Sequence, residues 1–173
     1  MLAVSKDWTD EALERWSGAD SRLAPERSQV IERIGRIALQ LGRRQDQVFG
    51  RYGMNRGEVG VLYALGGVGP PHRLSPTQLS QILMLTSAGV TSRLDRLERR
   101  GLIARRPDPE DRRGVVVELT ETGSRLAEQA VAAAAEAHAT LLAGLTDREV
   151  KTLARLLRKM QSALAGQAPA AVR

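Results

Sequence analysis

Thr86, Ser87, Ala88, Thr91, Ser92, Arg96 and Arg99 form a run of short hydroxyl and methyl side chains followed by arginines. Hydroxyls can bond base edges or phosphates, and the Ala88 or Thr91 methyl can touch a thymine methyl. Arginine can take guanine or phosphate with its forked donors. Ser75 and Thr77 lie a few residues upstream and complete this candidate DNA-contacting set. Further on, Asp108, Glu110 and Asp111 stand beside Arg112 and Arg113. Asp111 can orient a neighbouring arginine and so limit the rotamer entropy lost on binding. One of Arg112 and Arg113 then enters a minor groove while the other meets phosphate. The bland alternatives are a solvated helix face and a charged turn that keeps a sheet edge from pairing.

Other chemistry is poorly supplied. The chain has no cysteine, which excludes disulfides and thiolate metal sites, and His72 and His138 are its only histidines. Gly66-Gly67-Val68-Gly69 runs into Pro70 and Pro71 rather than a Lys-Ser helix start, so it reads as a loop. No nucleophile–base pairing is visible. We therefore expect no enzyme activity, no cofactor and no metal. The net charge of +6 and pI near 10.6 favour a polyanionic partner. Lys6, Lys151 and Lys159 are the only lysines, so arginine carries nearly all of that charge. No apolar run reaches the roughly 18 residues of a membrane span, and no signal-peptide layout is present. The expectation is a soluble, cytoplasmic protein without a membrane partner.

The elements that must hold these residues follow from apolar spacing and caps. Trp8, Ala12, Leu13 and Trp16 predict a first helix closed by Gly18. Val30, Ile34, Ile37, Leu41 and Val48 predict a long helix from Pro25 to about Phe49. Asn55 with Glu58 is a capping box, opening a helix with Val59, Leu62, Tyr63 and Leu65 on its apolar face. Ser75-Pro76-Thr77-Gln78 starts a short helix to about Leu83, and Thr86 starts another to about Arg100. In the latter Val90, Leu94 and Leu97 share one face, which turns the DNA-contacting set outward. Leu102–Arg106 and Val115–Leu119 read as strands around a polar turn. Helices from Thr120 to about Ala143 and from Thr146 to about Leu164 complete the chain. The fold class is thus mainly α with a small β part. It is a winged helix-turn-helix whose N- and C-terminal helices carry more apolar surface than the small lobe can bury. The expected division is 1–50 for N-terminal helices, 51–120 for the DNA-binding lobe, 121–165 for C-terminal helices and 166–173 for a flexible tail.

Three stretches carry a family resemblance. They are Leu74-Ser75-Pro76-Thr77-Gln78-Leu79, the run from Thr91 to Ile103, and Pro107-Asp108-Pro109-Glu110-Asp111-Arg112-Arg113-Gly114 leading to Leu119-Thr120. Over about residues 26 to 164 the chain resembles the MarR family of regulators. The resemblance implies a homodimer with intertwined terminal helices, presenting two winged lobes to a pseudo-palindromic operator in double-stranded DNA. It implies a repressor responsive to a small ligand. The chain is similar to the urate-responsive (PecS/HucR-type) branch, whose tryptophan and two arginines are matched by Trp16, Arg93 and Arg105. Gly60 stands where that branch has an aspartate, which removes an acceptor for ring N–H groups. The implied effector is a small organic anion, either urate-like or an aromatic or polycarboxylate species. Two guanidiniums near one another would favour such an anion, and Trp16 can stack on a flat one. The competing assignment makes Trp16 a core aromatic and Arg93 and Arg105 phosphate contacts. The competing function is a sequence-tolerant architectural DNA binder without an effector.

Overall fold

The computed structural model describes residues 6–17, 24–109, 111 and 114–165. Expectations for Gly18, Glu110, Arg112, Arg113 and the tail from Gly166 lie outside the described residues. The element order is α1 (Trp8–Ser17), α2 (Pro25–Gly50), α3 (Arg56–Gly67), β1 (Arg73–Leu74), α4 (Pro76–Leu83) and α5 (Ser87–Arg99). It continues with β2 (Ile103–Pro107), β3 (Val115–Leu119), α6 (Glu121–Leu142) and α7 (Asp147–Ala165). The architecture is mainly helical and is a winged helix-turn-helix, with α4 and α5 as the helix pair and β2–β3 as the wing.

Side-chain caps set the helix starts. Asn55 Oδ1 accepts from the Glu58 amide at 3.0 Å, and the Glu58 carboxylate accepts from the Asn55 amide at 3.0 Å. Ser75 and Gln78 make the same reciprocal pair at the head of α4, with Pro76 in its first turn. Met84 ends α4 with φ 52°, in the left-handed region that glycine favours, and the reversal lets α5 begin at once. β1 was not anticipated. Two residues show no alternation, and it exists by antiparallel pairing of Arg73 with Glu118 and Leu74 with Val117. The sheet order is β1-β3-β2.

The chain divides into two compact units between Ala135 and Glu136. In the first, Leu62, Leu65, Leu79, Leu94, Leu97, Ile103 and Val117 are fully buried in one core, joined by Phe49 of α2 and by Ala127, Ala130 and Ala134 of α6. The alanines are small enough to let α6 lie close. Tyr63, expected on the apolar face of α3, is 65% exposed. The buried arc of α3 runs from Ala64 through Leu65 and Leu62 to Val59, and at 100° per residue Tyr63 falls outside it. α1 lies on α2 with Thr9 buried, Arg33 Nη2 bonded to Asp10 (2.8 Å) and Asp7 (3.2 Å), and Arg36 4.9 Å from the Trp8 ring centre. On α2, Val30, Ile31, Ile34 and Ile37 remain exposed. In the second unit, α7 leaves Leu153, Leu156, Leu157 and Leu164 exposed.

The junction of wing and α6 is tight. The Thr120 amide donates to the Leu102 carbonyl at 3.2 Å, and the Thr120 hydroxyl donates to the Gly101 carbonyl at 2.7 Å. A Cβ placed on Gly123 would overlap the Leu102 carbonyl oxygen. Gly123→Ala is therefore expected to destabilise the lobe by about 1–3 kcal/mol, because backbone rather than a flexible side chain must move. The urea midpoint measures this; an unshifted midpoint would mean the two segments are not in contact.

Candidate nucleic-acid interface

α5 is amphipathic in the way its sequence dictates. Val90, Leu94 and Leu97 are buried, while Ser87, Ala88, Thr91, Ser92, Asp95, Arg96 and Arg99 are exposed. Thr86 is exposed and caps the helix, its hydroxyl accepting from the Gly89 amide at 3.2 Å. The Thr91 hydroxyl donates to the Ser87 carbonyl at 3.0 Å, which leaves its lone pairs as acceptors for a base amino group. Arg99 Nε donates to the Asp95 carbonyl at 3.2 Å. Arg100 donates to the carbonyls of Gly53 (2.8 Å) and Tyr52 (3.1 Å), tying the end of α5 to the segment before α3. Of the two residues on α4, Thr77 is exposed and Ser75 is half-buried with its hydroxyl engaged by Gln78.

Arg96 is not a free surface arginine. Its Nε lies 2.9 Å from Glu58 Oε1, and the Glu58 side chain is only 7% exposed. Glu58 is thus a cap, a buried carboxylate and an arginine holder at once. Only the cap is legible in the sequence, since nothing local links residues as far apart in the chain as Glu58 and Arg96. One helical turn earlier, Arg93 Nη1 donates to the Gly89 carbonyl at 2.8 Å, and its Nε is buried without a partner. A Cβ on Gly57 would overlap the Arg93 guanidinium, so Gly57 provides the space that Arg93 fills.

The three residues of the expected ligand site are placed differently from one another. Arg105, on β2, bonds Asp95 Oδ1 and Glu98 Oε2, both at 2.6 Å. Its charge is already met by two carboxylates of α5, so Arg105 does not stand as an unpaired guanidinium near Arg93. Trp16 is 66% exposed and lines a cleft of about 310 Å³ with Trp8, Thr9, Ala12, Leu13, Ser28 and Glu32. Neither arginine lines that cleft. A Cβ on Gly60 would touch the Leu83 side chain.

At the wing, Asp111 is exposed and its carbonyl accepts from the Gly114 amide at 2.8 Å. Arg112 and Arg113 lie outside the described residues. At the wing base, Glu118 of β3 accepts from Arg106 Nε (3.0 Å) and Arg73 Nε (2.8 Å), bridging all three strands. The Arg106 bond, then the Arg73 bond, hold its carboxyl below the usual glutamate range. A depressed folded pKa gives stability that is full above the ordinary glutamate value and is lost as pH falls through the folded one. Glu118→Gln should therefore flatten the acid limb of stability against pH. Urea midpoints at about pH 7 and about pH 3.5 test it; parallel losses in both proteins would exclude the bridge as a source.

Comparison with known proteins agrees with this geometry. A family model described as MarR family matches residues 52–114. The chain is 32% identical over 154 residues to the HTH-type transcriptional regulator PecS of Dickeya dadantii, covering 89% of this chain and 93% of that one. Among solved structures it is similar to Sco3205, a MarR family transcriptional regulator from Streptomyces coelicolor, in complex with DNA. There the identity is 26%, the TM-score 0.74, and the coverage 82% of this chain and 93% of that one. It is also similar to the C80S mutant of MarR from E. coli complexed with operator DNA, at 29% identity and TM-score 0.62, covering 75% and 94% of the two chains.

Proposed function

Because the chain belongs to the MarR family of DNA-binding transcriptional regulators, we propose that it is a cytoplasmic, homodimeric repressor released from its operator by a small organic anion. The carrying observation is the outer face of α5, where Ser87, Ala88, Thr91 and Ser92 are exposed opposite a fully packed apolar face. Small side chains there let the helix approach base edges in the major groove, while Thr77 meets the backbone and Asp111 orients the neighbouring arginine, so that one of Arg112 and Arg113 enters the minor groove and the other touches phosphate. Dimerisation is supported by the apolar residues that α2 and α7 each leave uncovered. Two lobes then read half-sites about one helical turn apart. Light scattering and anisotropy titration against the chain's own promoter test this. A monomer with equal affinity for promoter and scrambled duplex would end the proposal, and a dimer without sequence preference would favour the architectural alternative.

The effector site in this proposal uses Trp16, Arg93 and Arg105. Support comes from Arg93, whose Nε is buried against Gly57 without a hydrogen-bond partner, so that a shift of the side chain toward an anion would satisfy it. An anion that draws Arg105 away from Asp95 and Glu98 unpins β2 from the reading helix. Tilting α5 by this route needs only about 1–3 kcal/mol of coupling. With benzoate and urate as probes, Arg93→Ala or Arg105→Ala should weaken anion-driven release tenfold or more and change operator affinity less. Unaltered release in both variants would remove these residues from the site.

A further inference from the structure

Glu58 is the one charged residue buried among the described residues. We infer that it is a positioning residue for sequence reading, which holds Arg96 so that only the outer end of its guanidinium meets DNA. The inference rests on α5 being the DNA-reading helix.

A carboxylate removed from water must find strong partners, and Glu58 has two, the Asn55 amide at the head of α3 and Arg96 Nε on α5. Its backbone is fixed by the reciprocal cap with Asn55, so the carboxylate is a rigid post rather than a mobile counter-ion. Arg96 itself is exposed, on the same face as Ser92 and Arg99. An unrestrained arginine there would sample many rotamers and settle on the nearest phosphate. The ion pair narrows that search, and no hydrogen bond engages Nη1 or Nη2 among the described residues, which leaves the fork that matches guanine O6 and N7. The pairing also makes Glu58 and Arg96 jointly neutral, so their attraction to phosphate is weak. Affinity for any DNA is given up for preference at one base pair. Arg93 filling the space at Gly57 braces the neighbouring turn against the same end of α3.

The test compares the full-length chain with E58Q, R96A and the double variant, using binding selection from a randomised half-site and a salt series on scrambled duplex. Glutamine keeps the capping box, so E58Q should fold; circular dichroism verifies this. E58Q is expected to flatten preference at one base pair per half-site by about tenfold. It should also bind scrambled duplex more tightly, with a salt slope steeper by about one. R96A should flatten the same base pair, and the double variant should match R96A. Should E58Q unfold, R96K carries the test, since lysine can pair with Glu58 but offers no fork, and the same base pair should flatten. The inference is overturned if E58Q, or R96K in its place, keeps the preference that R96A loses, or if R96A loses none. A wild-type chain with no preference over scrambled duplex overturns the α5 reading and this inference with it.

Discussion

Replacing Ala88 with glutamate is expected to cut operator affinity a hundredfold or more while the free protein stays as stable or gains slightly. Ala88 lies in the first turn of α5 and is exposed. A carboxylate at a helix N-terminus is favoured by the unsatisfied amides and the dipole, by about 0.3–1 kcal/mol. The same charge meets phosphates once the helix enters a groove, and like-charge juxtaposition costs several kcal/mol. At about 1.4 kcal/mol per tenfold, that exceeds a hundredfold. Stability and binding therefore move in opposite directions, which separates a contact defect from a folding defect. Anisotropy titration and a thermal melt on one sample read both. Undiminished affinity for the promoter would place the DNA on some other face.

Leu94→Ala should do the reverse, costing about 2–5 kcal/mol of folding free energy without touching DNA. Leu94 is 1% exposed and belongs to the core cluster with Leu97, Leu62 and Leu79. Truncation leaves a space that rigid neighbours cannot fill, and a domain has only about 5–15 kcal/mol in total. Operator in hundredfold excess over its dissociation constant should restore about 2.7 kcal/mol, because DNA binds only the folded form. The urea midpoint with and without operator duplex measures both effects. A midpoint within error of wild type would mean that α5 is not packed on the lobe through this face.

The contrast between these two residues, six positions apart on one helix, was readable from spacing alone. Period and caps located α4, α5 and the wing strands to within a residue or two, because these signals are local: Ser75 with Gln78, Thr86 with Gly89, and the β-branched run from Val115. What escaped was non-local. β1 is created by its partner strand. Tyr63 faces solvent because α3 buries a wide arc on one side. Glu58 meets Arg96, and Arg105 meets Asp95 and Glu98, through tertiary approach that no spacing rule encodes. The exposed face of α5 was thus legible, while the ion pairs that Arg96, Asp95 and Glu98 make with other elements were not.

Both tryptophans of the chain, Trp8 and Trp16, sit on α1. Light absorbed at the red edge of the indole band is therefore emitted by that single segment, with the winged lobe optically silent. Detachment of α1 from α2 would change emission colour and quenching by iodide even while the lobe stays intact, so the chain carries its own reporter for its first helix.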